Sequence, residues 1–357
     1  MEMRKKFDEI FEDCTKLGTK IKTDEYHSNG KHPIIDQGQE MVAGFTDLED
    51  GLLDAVPAIV FGDHTRIIKY VDCPFFLGAD GVKVLRSKVP NANYRYLYYA
   101  LKNAKIPNTG YNRHYKWLKE LEIEYPPIDQ QVKTVKVLDK VESIIYNRQN
   151  QLQKLDELVK ARFVEMFGDP VTNPMDWPTK PLLEMGYCKN GMNFHTGDSG
   201  IEMHCLGVGD FKDYSVIDGT DYLPTISLNE APPEESMLQD GDLVFVRSNG
   251  NKALVGRCLL VYPHNTPTTY SGFCIRYRLT SAEVNIAYLL RVLKTDSMRK
   301  KMAGRGANIQ NLNQQILAAL NIPTPPLELQ EWFTAFIEQI DKSKVAVQKS
   351  LDEAQLL

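Results

Sequence analysis

The chain has 357 residues, 43% of them hydrophobic and 25% charged, with a formal net charge of -5. This composition is ordinary for a folded protein of two or three domains and excludes a mainly disordered chain. Residues 1–11 mix basic and acidic side chains without an apolar core of signal-peptide length, and later apolar runs such as 55–61 are too short to cross a bilayer. We therefore expect a cytoplasmic protein with no membrane segment.

The six cysteines are scattered through the sequence, with no Cys-x-x-Cys pair. We expect them to be reduced and structural. His195, His204 and Cys205 come nearest to a metal-binding group, but a zinc site needs four suitably spaced ligands and the fourth is missing. The sequence therefore predicts no metal site.

The first part of the chain has short runs of β-branched and aromatic residues, typical of strands, at 58–61, 66–71 and 81–85. Tyr96-Leu97 then begins a helical segment, which is followed by a basic stretch and by Pro126-Pro127. These features predict a mixed α+β domain over residues 1–125.

A long amphipathic helix is predicted over residues 126–168, because a Pro-Pro pair cannot lie inside a helix and marks its start. Its apolar residues keep close to the spacing of one helix face: Val135, Leu138, Val141, Ile145, Leu152, Leu155 and Val159. Gly168 and Pro170 end the helix near Met166. About 38 residues at about 1.5 Å each give roughly 57 Å, the length of a spacer.

The same order of features then repeats. A turn-rich linker, 169–181, opens a second strand-rich domain, 169–324, with strand-like runs at 243–247, 254–262 and 273–279. Tyr288-Leu289, a basic stretch and Pro325-Pro326 follow, and a second long helix is predicted over 325–357. Its apolar stripe, which Lys344 interrupts, is formed by Phe333, Phe336, Ile340, Val347 and Leu351.

Each apolar stripe is narrow, so each long helix needs a partner helix. The simplest arrangement pairs the two as an antiparallel coiled coil, and pairing with helices of other subunits is the alternative. The predicted fold is therefore α+β: two tandem strand-rich domains, each followed by a long helix, forming an internal pseudo-two-fold repeat.

Catalytic signatures are missing from the sequence. A methyltransferase acting on a base amino group should carry an Asn/Asp-Pro-Pro-aromatic tetrapeptide, but Asn173-Pro174-Met175 lacks the second proline and the aromatic residue. Residues 206–210 hold a lone Gly-x-Gly, and the Gly30-Lys31 pair does not fit the phosphate-binding loop of a motor. We predict a non-catalytic chain that binds no cofactor itself.

Turn segments in both halves carry short polar and basic side chains of the kind that read DNA bases, since Arg pairs with guanine and Asn or Gln with adenine. An ordinary surface turn is the alternative for each residue. The candidates for base contact are Gln37, Gln39, His64, Thr65, Arg66, Arg247, Ser248, Asn249, Asn251 and Lys252.

Two stretches, 95–119 and 291–305, are basic although the net charge is negative. They are either solvated helix faces or contacts with DNA phosphates, which would give register without sequence information. The basic residues that we assign to DNA contact are Lys31, Arg113, Lys116, Arg299, Lys300, Lys301 and Arg305.

Several short motifs occur in a fixed order: 30–39 with Val60-Phe61-Gly62-Asp63, Met166-Phe167-Gly168-Asp169-Pro170 with Asp176-Trp177, 241–247 with Gly256-Arg257, and 316–330. In this order the chain resembles, over nearly its whole length, the DNA-specificity subunits of type I restriction-modification systems. The resemblance implies two target-recognition domains, each reading one half of a split site in double-stranded DNA. It also implies paired helices that hold these domains apart and dock two methyltransferase subunits and the restriction/translocase subunits.

On this resemblance, S-adenosylmethionine, ATP and Mg²⁺ belong to the partner subunits. One segment departs from the pattern, because Arg113 and His114 stand where the second half has the run 308–311. An autonomous DNA-binding regulator and a coiled-coil adaptor without a restriction role are the alternatives. The regulator would bind a specific site tightly without partners, and the adaptor would lack salt-dependent affinity for DNA.

Overall fold

The computed structural model describes residues 4–78, 81–194, 197–211, 215–303 and 311–357. The chain divides into two compact units. Unit 1 is Met1–Asn147 with Ala354–Leu357, and unit 2 is Arg148–Glu353. The sequence limits predicted above for the four segments stay predictions.

Unit 1 combines short strands with helices. Its strands are β1 (Arg4–Lys6), β2 (Phe11–Asp13), β3 (His32–Ile35), β4 (Gly44–Thr46), β5 (Ala58–Gly62), β6 (Ile68–Val71), β7 (Phe76–Leu77), β8 (Val82–Ser87) and β9 (Glu122–Glu124). Its helices are α1 (Phe7–Ile10), α2 (Tyr94–Lys102), α3 (Tyr115–Lys119) and the first part of α4 (Ile128–Phe167). The strands form a larger sheet of order β2-β8-β5-β6, a smaller sheet of order β4-β3-β7 and the pair β1-β9.

The central strand of the larger sheet, β5, is buried along its whole length. Because side chains alternate between the two faces of a strand, Ile59 and Phe61 pack with residues of α2 and α4. Val60 faces the other way and packs with Ile35 and Leu77 of the smaller sheet. The larger sheet therefore lies between helices on one side and the smaller sheet on the other.

Unit 2 contains the second part of α4 and the remaining elements. Its strands are β10 (Thr179–Pro181), β11 (Gly186–Asn190), β12 (Ile201–Leu206), β13 (Val216–Asp218), β14 (Thr225–Leu228), β15 (Asp242–Val246), β16 (Cys258–Tyr262), β17 (Thr268–Tyr270), β18 (Cys274–Leu279) and β19 (Asn321–Pro323). Its helices are α5 (Ile286–Lys294), α6 (Asp296–Ala303), α7 (Gln314–Ala318) and most of α8 (Leu327–Gln355). The sheets have the orders β11-β18-β15-β16-β13, β14-β12-β17 and β10-β19.

The strand orders confirm the internal repeat. Each larger sheet has the same order, apart from the added edge strand β13, and each smaller sheet joins one antiparallel and one parallel neighbour to its central strand. The α+β fold predicted from the sequence is confirmed.

Individual hydrogen bonds repeat as well. The Tyr96 hydroxyl donates to the Glu124 carbonyl (2.9 Å), and the Tyr288 hydroxyl donates to the Pro323 carbonyl (3.1 Å). At the start of each long helix, the side-chain amide of Gln131 or Gln330 donates to the carbonyl of the first proline of the Pro-Pro pair, at 2.8 and 2.7 Å. These bonds satisfy main-chain carbonyl groups in or beside the short link that joins β9 to α4 and β19 to α8.

The two long helices pair in unit 2. The rings of Phe163 and Phe333 lie 5.6 Å apart, and the Arg148 guanidinium donates to the Ser350 hydroxyl (3.2 Å). Between these contacts, Lys344 forms an ion pair with Asp156 (2.5 Å). Residue numbers fall along α4 as they rise along α8, so the pair is antiparallel, as predicted. Lys344 interrupts the stripe, yet its ammonium group reaches a carboxylate of the partner helix.

Element ends differ from the sequence predictions where the backbone turns. The strand predicted over 254–262 begins only at Cys258, because Lys252–Leu254 forms a 3₁₀ turn and Gly256 has a φ of +76°. The strand predicted from residue 66 begins at Ile68, because Arg66 occupies a turn with a φ of +63°. Helix α4 ends at Phe167, one residue from the predicted end near Met166, and Gly168 follows it with a φ of +74°. Among the described residues, no helix is long and apolar enough to cross a membrane.

Aromatic rings from α4, α5 and α8 form a cluster in unit 2. We expect the stability of unit 2 to be most sensitive to the shortening of these side chains. Phe163 is buried against Tyr288 and Phe333, so Phe163→Ala should lower the free energy of unfolding by about 3–5 kcal/mol. Its neighbour Val164 is exposed, and Val164→Ala should change it by about 0.5 kcal/mol or less. Urea unfolding of both variants measures the difference, and equal losses would contradict the packing of this cluster.

Candidate nucleic-acid interface

Three turns of unit 1 lie together at the ends of its central strands, and we call them loop cluster 1: residues 36–40 after β3, 62–66 after β5, and 108–114 before α3. The Gln37 side-chain carbonyl accepts a hydrogen bond from the His64 backbone (3.2 Å), and its main-chain carbonyl accepts one from the Thr65 hydroxyl (2.7 Å). A Cβ on Gly62 would lie 2.9 Å from the Gln37 Cβ, so a larger residue would push these two turns apart.

The third turn is attached to the second through a buried histidine. The backbone N–H of His114 donates to the Asp63 carbonyl (2.8 Å), and the N–H of Tyr115 donates to the Asp63 carboxylate (2.7 Å). His114 is fully buried. Its place in the run 111–115, where the sequence departs from the second half, is therefore structural.

Loop cluster 1 also holds a stacked aromatic pair. The rings of His64 and Tyr111 lie 4.7 Å apart with planes 9° from parallel, and Tyr111 is 87% exposed. Arg113, two residues further on, is exposed as well. Tyr111 was not among the sequence candidates, although an aromatic residue between Gly110 and Asn112 in a polar loop is a usable signal.

The remaining sequence candidates of unit 1 have different surroundings. The Arg66 guanidinium donates to the Ile106 carbonyl (3.3 Å), whereas Gln39 is exposed. Lys31 forms an ion pair with Glu49 (2.8 Å), a hydrogen bond that raises the pKa of Lys31. Lys116 lies over the Trp117 ring, 4.8 Å from its centre. Hydrogen bonds and ring stacking thus unite Gln37, His64 and Thr65, while Lys31 and Lys116 contact other groups.

In unit 2, loop cluster 2 consists of residues 247–254 and 271–273. The backbone N–H of Arg247 donates to the Phe273 carbonyl (2.8 Å), and its guanidinium donates to the Gly272 carbonyl (3.2 Å). The N–H of Ser248 shares the Phe273 carbonyl (3.3 Å). Arg247 and Ser248 are therefore held against the turn that precedes β18.

The rest of loop cluster 2 is shaped by two asparagines. The Asn249 side chain accepts a hydrogen bond from the Asn251 backbone (2.8 Å), and the Asn251 side chain accepts one from the Ala253 backbone (3.0 Å). Each bond uses the side-chain carbonyl oxygen, so the amide NH₂ groups point elsewhere. Lys252, between them, is exposed. Phe273 is 61% exposed and was not predicted as a surface residue, because the sequence pattern placed it inside a strand that begins only at Cys274.

Helix α6 brings its basic residues next to loop cluster 2. The Arg299 guanidinium donates to the Ala253 carbonyl (2.9 Å), and burial lowers the pKa of Arg299. Lys300 and Lys301 are exposed and form no hydrogen bond or ion pair within the described ranges. Arg305, the fourth predicted phosphate ligand of this stretch, lies outside those ranges.

Part of the first basic stretch is used inside unit 1. Arg95 forms ion pairs with Asp139 and Glu142 of α4 and lies 5.1 Å from the centre of the Tyr99 ring. Lys102 also pairs with Glu142 (2.6 Å). Burial, together with hydrogen bonds to the two carboxylates, raises the pKa of Tyr99. These cations join α2 to α4 within unit 1.

Two of the three candidate metal ligands lie within the described residues. His204 makes a hydrogen bond through Nδ1 with the Leu223 carbonyl (2.8 Å), and burial raises the pKa of Cys205 to about 12, which keeps the thiol protonated. His195 lies outside the described residues. Within the part of the chain that the structure describes, no group of three or more His, Cys, Asp or Glu residues could hold a metal ion.

The described residues form an α+β unit twice, each copy is followed by a long helix, and each half carries a loop cluster with amide and guanidinium groups. Residues 3–157 and 230–354 match the family described as "Type I restriction modification DNA specificity domain". These two segments make up most of the chain, so the chain belongs to this family.

Two curated relatives are similar over parts of the sequence. The StySPI specificity subunit of a type I restriction enzyme from Salmonella potsdam is 27% identical over 171 residues, 46% of this chain and 36% of that protein. The EcoR124I/EcoR124II specificity subunit from Escherichia coli is 30% identical over 84 residues, 23% of this chain and 21% of that protein. The matched regions thus span well under two thirds of either relative.

Two solved structures share the fold over nearly the whole chain. The S subunit of a type I restriction-modification system from M. genitalium has a TM-score of 0.58 at 16% identity, with 99% of this chain and 92% of that chain covered. A chain from a structural study of the assembly and conformational transition of the type I R-M system has a TM-score of 0.56 at 15% identity, with 99% and 94% covered. At these identities the likeness shows the fold.

The two exposed lysines of α6 provide a test for phosphate binding. Replacing both, Lys300→Ala with Lys301→Ala, should weaken binding to all DNA sequences alike and lower the slope of log affinity against log salt by roughly 0.9 for each phosphate that the variant no longer neutralises. The matched control replaces the exposed lysines Lys342 and Lys349 of α8, and we expect its slope to stay unchanged. Binding titrations at several salt concentrations decide the matter; an unchanged slope with altered sequence preference would indicate base contacts instead.

Proposed function

We propose that the chain is the sequence-specific DNA-binding subunit of a type I restriction-modification complex and that it reads a two-part target in double-stranded DNA. The observation that carries this proposal is the equivalent attachment of the two loop clusters. In unit 1 the His114 backbone N–H donates to the Asp63 carbonyl, and in unit 2 the Leu312 N–H donates to the Arg247 carbonyl, both at 2.8 Å. The same position of the repeated fold thus carries a candidate reading surface in each half.

The chemistry of the two loop clusters fits this role. Amide and guanidinium groups can each make two hydrogen bonds to a purine in the major groove, and Gln39 and Arg113 are the exposed examples in unit 1. In unit 2, Lys300 and Lys301 are placed beside the loop cluster to bind phosphates, which fixes register but carries no sequence information. Because the two loop clusters carry different side chains, we expect them to recognise half-sites of different sequence.

In this proposal the chain is non-catalytic and acts in the cytoplasm, where its DNA substrate is found. Two methyltransferase subunits and the restriction/translocase subunits supply the chemistry and bind S-adenosylmethionine, ATP and Mg²⁺. The long helices offer docking surfaces, because large apolar side chains remain exposed on them: Val137, Ile144 and Tyr146 in unit 1, and Leu158, Val164 and Trp332 in unit 2. Exposed apolar groups on a helix suit packing against helices of another subunit.

A segment exchange tests the separate reading of two half-sites. Replacing residues 1–101 with the matching segment of a relative should change one half of the methylated target and leave the other half intact, because this segment holds the turns 36–40 and 62–66 of loop cluster 1 and no part of loop cluster 2. Methylome sequencing of cells that carry the variant and its methyltransferase partners measures the target. The reciprocal control exchanges residues 182–294 and should change the other half.

A change in both halves after a single exchange would contradict separate reading. Tight, specific binding by the isolated chain would favour an autonomous regulator, and the absence of salt-dependent DNA affinity would favour a structural adaptor.

A second test concerns the helix as a spacer. Inserting four residues between Asn147 and Gln151 adds roughly 6 Å and about one helical turn, so the apolar stripe stays nearly in register. We expect the non-specific gap of the target to grow by about two base pairs, at about 3.4 Å each, with both half-sites unchanged.

The matched control for the spacer inserts two residues at the same place, which rotates the stripe by about 200° and should abolish methylation by breaking the helix packing. Retained methylation with an unchanged gap after the four-residue insertion would show that the helix does not set the spacing.

A further inference from the structure

A buried lysine supports loop cluster 1. Lys69 is 4% exposed and lies on β6 opposite Val60, on the face of the larger sheet that packs against the smaller sheet. In the repeated unit, β16 pairs with β15 in the same way, and the residue opposite Val244 is the fully buried Leu259. The first half therefore has an ammonium group where the second half has an ordinary core side chain.

The ammonium group of Lys69 holds both ends of the turn 36–40. It forms an ion pair with the Asp36 carboxylate (3.3 Å) and donates to the Glu40 main-chain carbonyl (2.5 Å). The same Asp36 carboxylate accepts a hydrogen bond from the Gly38 backbone (2.8 Å). One buried cation thus closes the turn from the side of the core.

Stability alone gives no reason for this arrangement. Burying an ammonium group is costly unless it is paired, and replacing a buried ion pair with apolar residues is often neutral or stabilising. Leu259 shows that this fold accepts an apolar residue at the corresponding place. A buried pair of this kind can instead specify one geometry, and the geometry that Lys69 specifies is that of the turn 36–40.

The turn that Lys69 closes is one of the candidate reading turns. The Gln37 side-chain carbonyl accepts a hydrogen bond from the His64 backbone N–H, and this bond fixes the turn 36–40 to residues 62–66. Gln39 is exposed on the same turn, and its amide can make the paired hydrogen bonds that recognise adenine. Without the cation, the turn keeps its attachment at Gln37 but loses the support beneath Asp36 and Glu40.

We propose that Lys69 is a positioning residue for DNA recognition: through Asp36 and the Glu40 carbonyl it holds the turn 36–40 so that Gln39 meets a base of the first half-site. This inference rests on the proposed function. Its effect is confined to the first half-site, because the corresponding turn of unit 2 is built differently. There the Asp210 carboxylate accepts a hydrogen bond from the Gly207 backbone (2.8 Å), and the counterpart of Lys69 is Leu259.

The test uses the full chain co-expressed with the methyltransferase subunits of its own system, and a randomised DNA library from which bound sequences are recovered. Lys69→Met keeps an unbranched side chain, one heavy atom shorter than lysine, and removes its charge. We expect it to lower discrimination at one base position of the first half-site by about tenfold, with the second half-site unchanged. Asp36→Asn should act in the same direction and serves where Lys69→Met does not fold.

Two further variants separate positioning from general destabilisation. Val71→Ala removes a buried side chain two residues away on the same face of β6, so it should lower the unfolding temperature without altering discrimination. Gln39→Ala should cause the same loss at the same base as Lys69→Met, and the double variant should lose no more than either single one, since both act through one contact.

Unchanged discrimination in Lys69→Met, or an equal loss in Val71→Ala, would overturn the positioning role while the proposed function stands. Additive losses in the double variant would also overturn it, because Lys69 would then act independently of Gln39. If the unaltered chain with its partners shows no two-part preference at all, the proposed function itself fails, and the role of Lys69 fails with it.

Discussion

The structure depends on the need to cover the single apolar stripe of α4. A helix of 40 residues with apolar groups on one side cannot be stable alone in water. In unit 1 its early part contributes Val135 and Leu138 to the core beneath α2. In unit 2 its last turns contribute Phe163 and Phe167 to the core shared with α8. One helix is thus part of both cores, and each strand-rich half is built directly onto it.

The strands and helices supply most of the buried core side chains, and the loop clusters supply few of them. The buried anchors Asp63, His114 and Leu312 join the loops to the scaffold through main-chain hydrogen bonds, which any residue except proline could supply at the donor position. Side chains at the tips, such as Gln39, Arg113 and Lys252, are exposed. A fold arranged in this way can change its tip residues, and with them the DNA sequence that we propose it reads, without repacking its interior.

Local sequence was sufficient for most of the fold. The spacing of the apolar residues and the two Pro-Pro pairs predicted both long helices, because helix amphipathicity and proline sterics act over a few residues. The repeat predicted the shared architecture. The functions of individual polar side chains were less accessible, because they depend on contacts between distant segments. Gln37 bonds to residue 64 and Arg95 to residue 139, and no spacing rule reveals either. Phe273 was missed because the predicted strand began one residue too early, in the turn that precedes β18.

The differences between the halves follow from the same logic. The backbone hydrogen bond that His114 donates in the first half is donated by Leu312 in the second, and Lys69 stands where the second half has Leu259, yet the strand order is unchanged. Both polar residues lie directly beneath loop cluster 1. His114 forms a hydrogen bond with Asp63 there, and Lys69 forms an ion pair with Asp36. The second half has buried polar groups of its own, because Arg276 and Asp242 stand where the first half has Val84 and Ala58. Lys69 and His114 differ from that pair in their location, since they lie in the layer that supports the loops of unit 1, and we therefore expect them to influence the shape of the first reading surface.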